Sequence, residues 1–375
     1  MEYKKLGDIA TYINGYAFKP EQRGSEGLPI IRIQDLTGNA YDLGYYNGDY
    51  PKKVELNDGD VLISWSASLG VYLWNRGKAL LNQHIFKVVF DKVEIDKFYF
   101  MYAVEYNLDK MSLKTHGATM KHITKKDFDN VVIPYPDLDY QKEVAYRLTS
   151  LKGIIENYKK QLDLLDELVK ARFVEMFGDP VTNDMLWNTD VLKDICTKIG
   201  SGSTPRGGKE SYIDEGISLI RSMNVHNAYF EYKDLAHITL DQAEKLNNVV
   251  VEHDDLLFNI TGASVARCCV VPSDVLPARV NQHVCILRCR EKINPIFLQG
   301  LLVNENYQGK LLQIAKSGAT REAINKQQLE SLEIMIPPLE LQNQFASFVQ
   351  EIDKSGFIET FPSQLFTLSS HKLSM

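Results

Sequence analysis

The chain has 375 residues, of which 44% are hydrophobic and 24% charged, and carries a formal net charge of −7. That length exceeds what one ordinary core organises and suits two domains. No apolar run reaches bilayer length, and the acidic balance argues mildly against a wholly basic nucleic-acid coat protein while leaving room for a local basic face.

The opening "MEYKKLGDIA" meets an acidic residue before any apolar h-region, so no secretory leader is expected. All five cysteines, Cys196, Cys268, Cys269, Cys285 and Cys289, fall in the second half. Their odd number suits free thiols in a reducing cytoplasm, and a cytoplasmic location is the expectation.

In chain order, "KKLGDIATYING" leads into a loop, "NGYAFKPEQR", and then into "LPIIRIQDL". Short apolar runs bounded by polar turns follow, "VLISW" and "FKVVF", and read as strands. "IDKFYFMYAVEY" reads as a short buried helix. The basic stretch "HGATMKHITKKDFDNVVI" comes next, and "VVIPYPDLDYQ" ends a strand with prolines that cannot extend a ladder.

From about Asp139 to Phe177 the pattern changes to a heptad seam: Leu148, Leu151, Ile155, Tyr158, Leu162, Leu165, Val169 and Met176. Aspartates precede it and "FGDP" stops it, as helix ends require. At 1.5 Å per residue such a helix spans roughly 55 Å, longer than a small domain, and acts as a spacer.

Beyond Val191 the first half is said again. "VLKDICTKIGSG", "ISLIRSMNV", "VEHDDLLFNITGAS" and "RVNQHVCILRC" repeat the earlier segments in order, with strands at "DLLFNI" and "HVCILRC". "INPIFLQGLLVNEN" repeats the short helix, and "SGATREAINKQQLESLEI" repeats the basic phrase, with Gly117 and Gly318 standing 201 residues apart. Four ordered matches plus that phrase indicate an internal duplication. After "IPPLELQ" a second helix starts, with Val349 and Ile352 continuing the seam. The pattern fails after about Lys354, where the tail carries a proline and serines.

Two such halves, the heptad helix between them, and the phrases "INGYAF", "GSTP", "GATREAINKQQL", "IPPLELQ" and "LVKARFVEMFGDP" resemble the specificity subunit of type I restriction-modification enzymes, over about residues 5 to 354. The fold class implied is mixed α/β: two tandem target-recognition domains of similar fold, related by a pseudo-two-fold repeat and separated by a long coiled-coil-forming helix. The divisions are 1–138 and 179–338 for the two domains, 139–178 for the spacer helix, and 339–375 for a second helix start with a short divergent or truncated tail.

The resemblance further implies partners. Each domain reads one half of a split, asymmetric sequence in double-stranded DNA, with a gap fixed by the spacer. The helices bind methyltransferase subunits, expected to be two, and these recruit the motor-nuclease restriction subunits. The chain itself is not expected to be an enzyme, to hold a cofactor or metal, or to enter a membrane. Where relatives resembling this chain continue into a second long helix, this one departs near Ser355.

Contacts to phosphates and base edges are expected from loops rich in Gly, Ser, Thr, Asn and Arg. In the first half these are Tyr16, Lys19 and Arg23, then Lys114, His116, Thr119 and Lys121. In the second they are Ser201, Ser203, Thr204, Arg206 and Lys209, then Lys316, Thr320 and Arg321. The bland alternatives are a solvent loop for the first set of each half and a helix-capping turn for the second. The triplets Asn82-Gln83-His84 and Asn281-Gln282-His283 carry adenine-pairing side chains, yet they enter apolar strands and read as structural. Zinc at His283, Cys285 and Cys289 is disfavoured, because no CxxC pair supplies a ligand turn.

Catalytic readings lack their motifs. There is no Asp/Asn-Pro-Pro-aromatic strand end, no GxxxxGK[ST] loop, and no local frame for a Ser/His/Asp triad. The alternative function is an RNA-binding or scaffold protein with tandem heads. The former needs stacking aromatics on an exposed sheet, whereas "FYFMY" reads as core.

Overall fold

A computed structural model of the chain describes residues 2–39, 42–114, 124–205, 207–317 and 322–355. The chain divides into two compact units, 1–157 and 158–375.

The first unit contains two four-stranded sheets and a ribbon. One sheet is antiparallel throughout, in the order Thr11–Asn14, Ile85–Val89, Val61–Ser64, Gly70–Leu73. The other runs Tyr45–Tyr46, Leu28–Ile31, Ala79–Leu81, Glu55–Leu56, with its central pair parallel. The ribbon joins Glu2–Lys5 to Val132–Tyr135. Pro134 is tolerated there because a two-stranded ribbon leaves its missing N–H on an open edge.

The second unit repeats this topology strand for strand. Its antiparallel sheet is Cys196–Ser201, Val284–Cys289, Leu256–Asn259, Cys268–Val270. Its mixed sheet is Ala236–Ile238, Ile217–Ile220, Ala278–Val280, Val250–Val251, again with a parallel central pair. The ribbon joins Thr189–Val191 to Glu333–Met335. The duplication inferred from the segments is thus a duplication of fold.

Why the strands settle here follows from their apolar content. Val61–Ser64 and Leu256–Asn259 are buried at all four positions, as expected of the inner strand of a covered sheet. Each fully buried aliphatic side chain among them contributes about 1.5–3 kcal/mol. The aspartates at the strand entries are paired: half-buried Asp60 with Lys87 at 2.8 Å, and buried Asp255 with Arg288 through two bonds of 2.8 and 2.9 Å.

Both halves were expected to carry a short buried helix, and the two differ. In the first unit it is one helix of 18 residues, Lys97–Lys114. In the second it breaks into Pro295–Val303 and Glu305–Lys316, because Asn304 turns out of helical geometry and its side chain accepts from the N–H groups of Asn306 and Tyr307.

One uninterrupted helix, Leu138–Phe177, starts in the first unit and ends in the second. Its 40 residues amount to about 60 Å. Asp137 Oδ1 accepts the Tyr140 N–H at 2.9 Å at the start. At the end Gly178 takes a φ of +75° while its N–H returns to the Val174 carbonyl at 2.8 Å, a left-handed cap that a side chain would strain.

Of the seam residues, Leu148, Leu151, Ile155, Leu162, Leu165, Val169 and Met176 are half-buried and Tyr158 is exposed. Val169 and Met176 pack against the second unit's core, where Phe173, Phe177, Phe297 and Phe345 meet at centroid distances of 4.8 to 5.7 Å. The second helix, Leu339–Ser355, buries Val349 in that core and leaves Ile352 half-buried. The expected tail beyond Ser355 lies outside the described residues. Among the described residues no helix is long and apolar enough to cross a membrane.

Candidate nucleic-acid interface

In each unit, one end of the antiparallel sheet gathers three connecting segments. In the second unit Gly202 N–H donates to the Asn281 carbonyl at 3.1 Å and Ile260 N–H to the His283 carbonyl at 3.0 Å. Segments 201–204, 259–262 and 281–283 therefore share one edge. Gly262 N–H bonds the Glu322 carbonyl and Ile324 N–H the Ile260 carbonyl, both at 2.9 Å, so the stretch leaving the Gly-Ala-Thr phrase joins the same edge.

The first unit brings the same segments together, with Trp65–His84 as the counterpart of Ile260–His283 and the other bonds placed differently. Gly15 N–H donates to Ile85, Tyr16 N–H to Leu81, and Trp65 N–H to His84. The loops after the first strands come so close to the returning strand that only glycine fits. A Cβ on Gly15 would stand 1.9 Å from the Asn82 carbonyl oxygen, and one on Gly202 would stand 1.8 Å from that of Val280.

The second unit's edge carries a chain of side-chain hydrogen bonds. The Thr204 hydroxyl donates to Gln282 Oε1. Gln282 Nε2 lies 3.1 Å from His283 Nε2, and His283 Nδ1 lies 2.6 Å from Thr261 Oγ1. An amide nitrogen only donates, so His283 Nε2 accepts and its Nδ1 carries the proton toward Thr261. Gln282 and Thr204 are exposed, His283 and Thr261 half-buried.

The sequence pattern described as "Type I restriction modification DNA specificity domain" matches this chain twice, over residues 1–166 and 185–365. The chain belongs to that family. It is 24% identical to the type I restriction enzyme EcoBI specificity subunit of Escherichia coli, over 92% of this chain and 78% of that one. It is 22% identical to the type I restriction enzyme MjaVIII specificity subunit of Methanocaldococcus jannaschii, over 94% and 86%. The crystal structure of the type I restriction-modification system S subunit from M. genitalium shares its fold, with a TM-score of 0.62 at 14% identity, covering 99% of this chain and 94% of that one.

Within this pair of specificity domains the residues singled out from sequence are dispersed. Tyr16 is half-buried, its ring 4.9 Å from that of Phe18 beside the buried Ile30 and Leu80, so its apolar body belongs to the core. Lys19 is exposed at the start of the turn Pro20–Gln22. Arg23 is half-buried, packed along Gly44, and its Nε has no hydrogen-bond partner among the described residues. Ser201 ends its strand half-buried opposite Cys285, and Ser203 and Thr204 are exposed just beyond it.

Lys316 is exposed at the end of its helix. His116, Thr119, Lys121, Arg206, Thr320 and Arg321 lie outside the described residues, as do the side chains of Lys114 and Lys209. Several neighbouring cations are engaged within their own unit: Lys125 with Asp129 at 2.6 Å, Lys326 with Glu330 at 3.6 Å, and Lys310 over the Tyr307 ring at 5.1 Å.

The two Asn-Gln-His triplets, structural in the sequence reading, form the turns that precede Ile85–Val89 and Val284–Cys289. Asn82 and Asn281 are buried, and Asn281 Oδ1 accepts the His283 N–H at 3.0 Å. Gln83 and Gln282 point outward. Among the described residues no cluster of three or more His, Cys, Asp or Glu is placed to hold a metal.

Proposed function

We propose that this chain is the DNA-recognition subunit of a type I restriction-modification complex, and that each unit reads one half of a split, asymmetric target. The observation that carries this reading is the doubled topology with unequal edges. The same sheets present Thr204, Thr261 and Gln282 in one unit, and Ala17, Ser66 and Gln83 at the corresponding places of the other. Two readers built alike but lined differently select two different half-sites.

The domain divisions that accompany this reading are 1–138, 139–178, 179–338 and 339–375. A single helix of fixed length joins the readers, so the gap between half-sites is constant. The readers act through the loop residues Tyr16, Lys19, Arg23, Ser201, Ser203, Thr204 and Lys316 together with Lys114, His116, Thr119, Lys121, Arg206, Lys209, Thr320 and Arg321. The exposed apolar face of the long helix, with Leu164 53% and Leu168 48% exposed, supports docking of methyltransferase subunits, expected to be two. Restriction motor-nuclease subunits join through these, and the chain itself carries out no catalysis.

Selection from randomised duplex DNA by the chain together with its methyltransferase subunits tests the reading. Enrichment of a two-part motif with a constant gap is the expected result. Retention of DNA without sequence preference, falling away with salt, would refute it.

A further inference from the structure

We propose that Gln282 is a base-reading residue of the second unit, presenting its amide to an adenine in the major groove, with Thr204 and His283 as positioning residues. This assignment rests on the DNA-recognition reading above.

The backbone under Gln282 is fixed from both sides. Asn281 N–H bonds the Ile220 carbonyl at 3.1 Å, the Asn281 carbonyl takes the Gly202 N–H at 3.1 Å, and the His283 carbonyl takes the Ile260 N–H at 3.0 Å. An exposed glutamine on such a turn would ordinarily sample many rotamers. Here Thr204 holds the oxygen of the amide and His283 the nitrogen, while Thr261 holds the far side of the imidazole. Exposed bonds of this kind add little to stability, so their consequence is orientation: the rotamer entropy of binding is removed in advance.

The remaining valences of the amide define what it can read. A primary amide has two N–H donors and two acceptor lone pairs. The network uses one of each and leaves one donor beside one acceptor. Adenine offers that complement in the major groove, N7 accepting and N6–H2 donating, and a glutamine meets both at once. Guanine presents two acceptors at the same edge and satisfies only half of the amide.

The first unit supplies an internal comparison. Gln83 occupies the same turn and is exposed. Two residues after the tightly packed glycine, however, the first unit has Ala17 where the second has Thr204. Its histidine, His84, takes a φ of +71° and lies 5.1 Å from the Trp65 ring. The hydroxyl on the amide oxygen is therefore a property of the second unit, and the assignment is confined to it.

The test is selection from randomised duplex DNA by the assembled chain and methyltransferase subunits, comparing wild type with four variants. Wild type is expected to favour adenine, on one strand, about tenfold at one position of the second half-site. Gln282→Ala is expected to bring that position to within about twofold of even while every other position keeps its preference. Gln282→Glu, which can only accept, is expected to move the preference to cytosine, whose N4 donates. Thr204→Val is expected to weaken the same position alone, and Thr204→Ser to restore it.

An unchanged motif in both Gln282 variants would overturn the proposal. So would loss of the entire second half-site in both. If Gln282→Ala lowers the melting temperature, Gln282→Glu decides by the cytosine shift or its absence. A wild-type complex that selects no motif refutes the DNA-recognition reading itself and is seen before any variant is made.

Discussion

Gln342 Oε1 accepts the main-chain N–H of Asn294 at 2.9 Å across 48 residues, and Gln141 makes the same bond to Asp96 in the first unit, also at 2.9 Å. Each glutamine is almost wholly buried and spends its Nε2 on the carbonyl of a proline just upstream, Pro337 or Pro136, at 2.8 Å. The residues they grip in turn cap the buried helix of each unit, Asn294 accepting from Ile296 and Asp96 from Tyr99. Gln342→Ala leaves a buried N–H and C=O unpaired and is expected to cost about 2 kcal/mol or more. In hydrogen exchange, amides from 292–355 should exchange faster in that variant while those of 1–157 keep their wild-type rates.

The pair Asp255–Arg288 is the second place where a single change exposes the design. The Asp255 side chain has no solvent exposure and also accepts the Glu252 N–H at 2.7 Å. Arg288→Met strands a buried carboxylate and is expected to cost about 3–5 kcal/mol. Adding Asp255→Asn removes the charge, keeps an acceptor for Glu252, and should recover more than half of that loss. Urea unfolding of the single and double variants measures the difference.

Burial shapes the chemistry of the thiols. It pushes the Cys269 and Cys285 thiols up to about 12, and Cys268 well above its usual range. Iodoacetamide at pH 8 should leave all three unmodified in the folded chain while labelling five cysteines after unfolding, as read by mass spectrometry. Because the folded values lie above the unfolded one, the contribution to stability is complete below about pH 8.5 and is lost as pH rises toward 12.

Leu162→Asp places a charge on the heptad seam of the long helix, where Leu162 and Leu165 are half-buried and Tyr158 is exposed. Circular dichroism should be unchanged, since no unit core is touched. Co-elution with the methyltransferase subunits on sizing chromatography should be lost.

The strands and the long helix were legible because each is written in a local period. Val61–Ser64 and Val284–Cys289 are apolar runs between turns, and the seam from Leu148 to Met176 repeats by heptads. The parallel pairing of Leu28–Ile31 with Ala79–Leu81 was not legible, since register between segments some fifty residues apart leaves no local trace. The same holds for Phe173 and Phe177, whose burial depends on Phe297 and Phe345 far along the chain.

At the candidate interface, composition singles out the glycine-rich loop carrying Ser203 and Thr204, both of which are exposed. Tyr16, found the same way, gives its ring to the core. Gln282 reads as structural in the sequence because its triplet leads into an apolar strand, whereas in the fold it is exposed on a turn beside the buried Asn281.

The ribbons that close each unit, Glu2–Lys5 with Val132–Tyr135 and Thr189–Val191 with Glu333–Met335, bring the entry and exit of a unit side by side. Everything between them is consequently a cassette held at two adjacent seams. A foreign insert ending in a matching strand pair could replace it, and the shared framework would acquire a new vocabulary without being rebuilt.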